Sequence, residues 1–323
     1  MLAPGLETIA CNLCGSRSTK LVFTTKDYRF LVDDRDFSVV RCTGCGLVYV
    51  NPRPDERDIH RYYNNEFYNA DESPAKALAS VKDRILGMAA HLDRYPKGRL
   101  LDIGCYRGEF IYHMNELGWD AHGIEFSSRP PNLFGQSIFY GDIANAPFAE
   151  QSFDVVTIWA VFEHVYDPRH VLKQAHRLLR PGGTLIILVP NYNSLPARFM
   201  YHDDVPRHVT MFTPKTLGQL LEQEGFTAKS WECGQDVYGG STRGWLNFLV
   251  KRLAGEPMGD IQAQNRSVER WHEFSRCIAG KERPIMKKID DFDIWLAPRL
   301  DRLLDRLMLG FIMTVHSQKR VAP

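Results

Sequence analysis

Leu100-Leu101-Asp102-Ile103-Gly104-Cys105-Tyr106-Arg107-Gly108-Glu109-Phe110 decides the fold. An apolar strand runs into a carboxylate and then a glycine-containing turn, and a helical pattern follows from Glu109 to Leu117. That order sets a backbone turn at the carboxyl end of a first strand, where open α/β sheets bind their ligands. The turn is not a dinucleotide fingerprint, because the spacing from Gly104 is G-x-x-x-G rather than G-x-G-x-x-G. It also lacks the Gly-Lys-Ser/Thr ending of a phosphate loop.

Outward from this stretch, strands and helices alternate, as a parallel sheet requires. Strands are predicted at 99–103, 121–125, 137–140, 153–159 and 184–189, with helices near 109–117 and 168–179. Arg180-Pro181-Gly182-Gly183 ends the second helix before the fifth strand. A helix over 214–225 leads to a strand near 228–233, and residues 238–308 read as mostly helical. Leu300, Leu303, Leu304 and Leu307 share one helix face at i, i+3, i+4 and i+7, and 311–316 forms a last strand. Upstream, Asn51-Pro52-Arg53-Pro54 is a turn-rich junction. Helices carrying Tyr62, Tyr63, Phe67 and Tyr68 follow over 55–95.

Four of the seven cysteines form two pairs, Cys11-x2-Cys14 and Cys42-x2-Cys45, each trailed by a glycine. Two such knuckles turn four sulfurs toward one point, the donor set of a tetrahedral zinc site. Short strands between them suit a zinc ribbon; unrelated thiol pairs or a redox dithiol are the alternatives. A closed four-thiolate site has no open coordination position, so its zinc is expected to be structural. Cys105 and Cys233 read as small buried hydrophobes, and Cys277 has no assigned role.

At 323 residues the chain has room for one full α/β domain plus additions, and its 44% hydrophobic content supports a sizeable core. A net charge of +1 argues against large nucleic-acid substrates. The start shows no basic stretch followed by an apolar one, so no secretory signal is expected. The apolar run from Leu307 to Val315 falls far short of the ~20 residues that span a bilayer. The expected location is the cytoplasm. The expected divisions are a zinc ribbon (1–50), a helical linker (51–96), a core (97–237), a helical insertion or lid (238–308), and a final strand and tail (309–323).

Asp102, Gly104 and Gly108 resemble motif I of the class I S-adenosylmethionine (SAM) methyltransferases, D-x-G-x-G-x-G, with Tyr106 at the middle glycine. Further segments follow in order. They are Glu125 ending the second strand, Tyr140-Gly141-Asp142-Ile143, Phe153-Asp154-Val155-Val156, Phe162-Glu163-His164-Val165, and Leu178-Leu179-Arg180-Pro181-Gly182-Gly183. Together they resemble the ubiquinone-biosynthesis-like branch of that family over roughly residues 97–236. The resemblance implies a Rossmann-like α/β sheet, with the ribbon before it and the helical insertion ahead of the last strand. It implies a SAM site in which Glu125 accepts from the ribose hydroxyls and Asp142 holds the adenine amino group. Asp102, Gly104, Tyr106, Gly108, Ile143 and Trp159 complete that site. Tyr106 fits over the cofactor's methionine end if its backbone avoids positive φ.

Methyl transfer from a sulfonium needs the acceptor aligned and, where required, deprotonated. His208, in Val205-Pro206-Arg207-His208-Val209-Thr210 after the fifth strand, is the expected base or substrate contact, because histidine titrates near neutral pH. His164 is the second candidate, as a catalytic or a packed residue, and His202, Asp203 and Asp204 stand ready to orient His208. Some quinone O-methyltransferases use a stretch like Glu163-His164 for a divalent metal, with a glutamate three positions earlier. Ala160 stands there, which argues against a catalytic metal. The expected acceptor is a small molecule or a sugar-bearing one, with O-methylation favoured. The alternatives are RNA base methylation through the ribbon and a non-catalytic SAM-binding adaptor. The insertion is expected to cover the acceptor or form a homodimer surface. Its Trp245, Leu246, Phe248 and Leu249 would either pack on the core or touch lipid.

Overall fold

The computed structural model describes residues 5–27, 31, 32, 34–63, 73–127, 131–194, 197, 204–234, 237 and 284–321, without the side chains of 284–290 and 293. Phe67, Tyr68, His202, Asp203, Cys277 and the Trp245–Leu249 stretch therefore lie outside the described residues, as does most of the expected insertion.

Short alternating runs near the amino end form β1 (Leu6–Glu7), β2 (Thr19–Thr25), β3 (Phe37–Cys42), β4 (Val48–Val50) and β5 (Arg53–Pro54). β1 pairs with β5, while β2, β3 and β4 make an antiparallel sheet. Helix α1 (Pro74–Ala90) starts at Ser73, whose side chain accepts from the Lys76 N–H. The alternating region then supplies β6 (Arg99–Ile103), α2 (Glu109–Glu116), β7 (Asp120–Glu125), β8 (Ile138–Tyr140) and β9 (Phe153–Trp159). It continues through α3 (Pro168–Leu178), β10 (Leu179–Pro190), β11 (Thr210–Met211), α4 (Pro214–Gln223), β12 (Phe226–Cys233), α5 (Pro284–Arg306) and β13 (Ile312–Lys319).

Seven of these strands form one sheet in the order β12-β13-β10-β9-β6-β7-β8. The five strands from β10 to β8 run parallel, and β13 lies antiparallel between β10 and β12. Leu185 to Val189 on β10 are at most 1% exposed, the continuous apolar run expected where both faces of a parallel sheet are covered. From β6 the chain winds out through β7 and β8, then returns to β9 on the other flank of β6. The switch in winding direction therefore falls between β6 and β9, and the carboxyl ends of those two strands open the crevice that binds ligands in such sheets.

The amino-terminal sheet does not stand apart. β11, from the loop after β10, pairs with β4 through Thr210↔Tyr49 and Met211↔Val48. Cys11, Leu13, Leu47 and Tyr49 share one buried cluster with Ile103, Phe162 and Phe212. Burial of each large apolar side chain contributes ~1.5–3 kcal/mol, and Arg169 adds hydrogen bonds from its guanidinium to the Asn12 and Leu13 carbonyls across the same junction.

Several boundaries differ from expectation. Leu179 already pairs with Phe153, and the register shifts between Leu179 and Thr184, so the Arg180–Gly183 turn is taken up as an irregularity inside β10. β12 begins at Phe226 and β13 runs to Lys319, because the two strands pair along their whole length. Over 55–95 the described helices are a single 3-10 turn at Ile59–Tyr62 and α1.

Candidate active site

Gly104 makes the step from β6 into the turn with φ +79°, and its N–H donates to the Ile124 carbonyl at 2.7 Å. A Cβ on Gly104 would stand 2.5 and 2.8 Å from the two Val161 methyls. The turn is thus packed on the segment after β9, where Phe162–His164 forms a 3-10 turn.

The condition set for Tyr106 is not met: its φ is +52°, in the left-handed region. A non-glycine residue there costs ~1–2 kcal/mol. Its N–H donates to Glu125 Oε2 at 2.9 Å, and a hydrogen bond to a charged group contributes ~1.5–3 kcal/mol. The bond offsets the strain. The Arg107 guanidinium carbon lies 4.9 Å from the centre of the Tyr106 ring. Glu125 Oε1 accepts the Ser127 N–H at 3.1 Å. Burial pushes the Glu125 carboxyl up, and the Ser127 and Tyr106 amides pull it down.

Asp102 points into the protein. It is 3% exposed, and Thr157 Oγ1 of β9 donates to its Oδ1 at 2.7 Å, tying β6 to β9. Burial raises its pKa to about 8; the Thr157 bond lowers it and the Glu125 charge raises it further. Asp142 is exposed at the end of β8, accepts the Ala144 N–H at 2.7 Å and faces His170 Nε2 at 2.9 Å. The Ala144 amide, then His170, hold its carboxyl below the usual range. Ile143 is fully buried, and Trp159 is buried with its ring against Phe110 and His91.

The histidines meet beyond β9 and β10. The rings of His164 and His208 lie edge to face with centroids 4.5 Å apart. His164 Nδ1 is 3.1 Å from the Arg207 carbonyl and 3.1 Å from Tyr63 Oη. A carbonyl only accepts, so Nδ1 carries the proton and Nε2 the lone pair. Burial, then the neighbouring His208, push His164 down to about 3. His208 is 8% exposed; its Nε2 faces Asp204 Oδ2 at 3.7 Å and Glu163 Oε1 at 4.0 Å. Burial raises Glu163 to about 8, with the Asp204 charge adding to it, and its Oε2 is buried with no hydrogen-bond partner among the described residues. Glu163, His164 and His208 thus form a compact set of proton-transfer and ligating groups.

Two residues of this arrangement left no trace in the sequence. Arg207, 2% exposed, is bonded to Asp204 and to fully buried Asp27 of the amino-terminal region at 3.2 Å. Val161, which meets Gly104, carries no signal either. Both contacts join segments far apart in the chain.

The four cysteine sulfurs lie within 4.8 Å of one another, with Cys11–Cys45 at 3.5 Å and Cys14–Cys42 at 3.4 Å. A tetrahedron with metal–sulfur bonds of ~2.3 Å has sulfurs about 3.8 Å apart, so the cluster is near that size before any cation contributes. Each knuckle is closed by a backbone bond, Gly15 N–H to the Cys11 carbonyl and Gly46 N–H to the Cys42 carbonyl. The donor set fits zinc.

Residues 72–230 match the family described as a methyltransferase domain. The ubiquinone biosynthesis O-methyltransferase of Pseudomonas aeruginosa is 33% identical over 152 residues, covering 43% of this chain and 65% of that one. Its counterpart from Paraburkholderia phymatum is 32% identical over 144 residues, covering 42% and 60%. A 27-O-demethylrifamycin SV methyltransferase from Amycolatopsis mediterranei is 32% identical over 156 residues, covering 43% and 54%. The chain therefore spans less than two thirds of each relative. Among solved structures, a Haemonchus contortus phosphoethanolamine N-methyltransferase 2 with SAM aligns over 94% of this chain and 69% of its own, at 15% identity and a TM-score of 0.48. A SAM-dependent methyltransferase from Mesorhizobium loti aligns over 73% and 98%, at 15% identity and a TM-score of 0.45.

Proposed function

We propose, from the premise that residues 72–230 place this chain among the class I SAM-dependent methyltransferases, that it methylates a hydroxyl oxygen of a small-molecule acceptor, sugar-bearing molecules included. The observation that carries the reading is the packing of Gly104 on Val161, which brings the glycine turn against the segment bearing Glu163 and His164. The relatives named as O-methyltransferases support oxygen as the acceptor atom.

Bound SAM supplies a methyl group on a sulfonium, a donor that needs no further activation. Gly104, Tyr106 and Gly108 would cradle it, Glu125 would accept from its ribose hydroxyls and Asp142 from its adenine amino group, with Ile143 and Trp159 alongside. Asp102 supports the turn from behind through Thr157. His208 takes the acceptor's proton, and the Asp204 carboxylate at 3.7 Å steadies the imidazolium that results. His164, with its Nδ1 proton committed and its pKa near 3, stays neutral and positions the acceptor. The four cysteines would hold a structural zinc, leaving no open position for chemistry. Residues 1–50 then serve as a brace, because β4 pairs with β11 immediately after His208.

Calorimetry with SAM and S-adenosylhomocysteine tests the first step: a folded, metal-loaded preparation that binds neither refutes the reading. Release of S-adenosylhomocysteine over a panel of phenols, catechols and glycosides tests the second. His208→Ala is expected to lower kcat by about 10²–10⁴-fold with SAM affinity unchanged. An unchanged kcat removes His208 as the base.

A further inference from the structure

A separate set of ligating side chains stands at the outer edge of the sheet. His91 follows α1 directly, Glu232 lies on β12 and His316 on β13. His91 Nδ1 is 3.2 Å from His316 Nε2 and 3.6 Å from Glu232 Oε2, and His316 Nε2 is 3.9 Å from Glu232 Oε1. We infer that His91, Glu232 and His316 form a second divalent-metal site, distinct from the four cysteines, whose cation pins the end of α1 to the β12–β13 edge.

The spacing is that of a coordination shell. Ligand bonds of ~2.0–2.1 Å in a tetrahedron place donor atoms about 3.3 Å apart. The two imidazole nitrogens are already at that distance, and the carboxylate is within a small side-chain movement of it.

The surrounding groups are those that orient ligands. Tyr95 Oη lies 2.8 Å from His316 Nδ1, so accepting the Nδ1 proton leaves the Nε2 lone pair facing His91. Arg94 holds both oxygens of Glu232, Nη1 to Oε1 at 2.6 Å and Nη2 to Oε2 at 3.4 Å, and Oε2 also lies 3.6 Å from His91 Nδ1. A plain N–H···N bond explains the histidine pair alone. The Glu232 carboxylate, held by Arg94, adds a third donor within 4 Å of both rings.

Arg94 also offsets the carboxylate's charge, so affinity rests on the two imidazoles. That favours a borderline cation such as Zn²⁺ or Co²⁺ over Mg²⁺ or Ca²⁺. Three protein ligands leave a fourth position for water, and the Glu232 side chain, 36% exposed, gives it access to solvent.

The test uses the full chain with zinc retained at the cysteines, titrated with Co²⁺. One further equivalent is expected, with weak d–d absorption and no thiolate-to-metal charge transfer, together with a rise in Tm. His91→Ala and Glu232→Gln should each abolish that equivalent while keeping the far-UV spectrum and the cysteine-bound zinc. Absence of a second equivalent in the wild type overturns the inference. So does a second equivalent that survives in both variants, and its loss on His164→Ala would assign it to the Glu163–His164–His208 group instead.

Discussion

Gly104→Ala tests whether the glycine turn and the segment after β9 are one mechanical unit. The added methyl would lie 2.5, 2.8 and 3.1 Å from three Val161 carbons, and the backbone sits at φ +79°. The left-handed conformation costs an alanine ~1–2 kcal/mol. Overpacking of this kind adds ~1–3 kcal/mol. The expected loss is therefore about 2–5 kcal/mol, read as a lower urea midpoint at unchanged m-value. Val161→Ala in the same chain removes the two closest carbons and leaves the Cβ at 3.1 Å, so in that background Gly104→Ala should cost little beyond the backbone term. The resulting coupling energy between the two positions should be about 1–3 kcal/mol. SAM affinity should fall with Gly104→Ala and recover in part in the double variant. A coupling energy below about 0.5 kcal/mol would show that the turn yields without pushing on Val161. The proposed link from turn to catalytic segment would then fail.

Glu125→Gln keeps an acceptor for the Tyr106 N–H but removes the charge, and calorimetry should show SAM binding weakened about tenfold or more; a change within twofold would take Glu125 out of the cofactor site. Asp102 stays protonated in the fold up to a pH of about 8, while the unfolded chain releases that proton near 4, so its contribution to stability is greatest below pH 4 and is lost as pH rises toward 8. Asp102→Asn should therefore gain on the wild type by about 1 kcal/mol per pH unit between pH 5 and 7 in urea titrations, and parallel curves would refute the raised pKa. Cys14→Ser should abolish stoichiometric zinc in elemental analysis and lower the Tm; full zinc retention would exclude the four-sulfur site.

β9 and β10 were legible because a strand covered on both faces is an apolar run, and both are bounded by turn residues. Gly104, Glu125 and Asp142 were singled out through the resemblance to motif I and the segments that follow it, and the structure sets them at or just after the ends of β6, β7 and β8. The paired C-x2-C knuckles were equally plain, since local turns aim all four sulfurs. Strand limits were less accurate where pairing decided them, as in β10 and β13.

The sequence by itself determined the alternation of strands and helices and the cysteine cluster, since local periodicity and short-range turns encode both. Only the tertiary structure decided that Tyr106 takes positive φ, because the compensating bond comes from Glu125 on another strand. It alone brought Val161 to Gly104, Asp27 to Arg207, and β4 to β11 beside His208. It alone gathered His91, Glu232 and His316. Each of these depends on the closure of long loops, and no local pattern records which distant side chain will arrive.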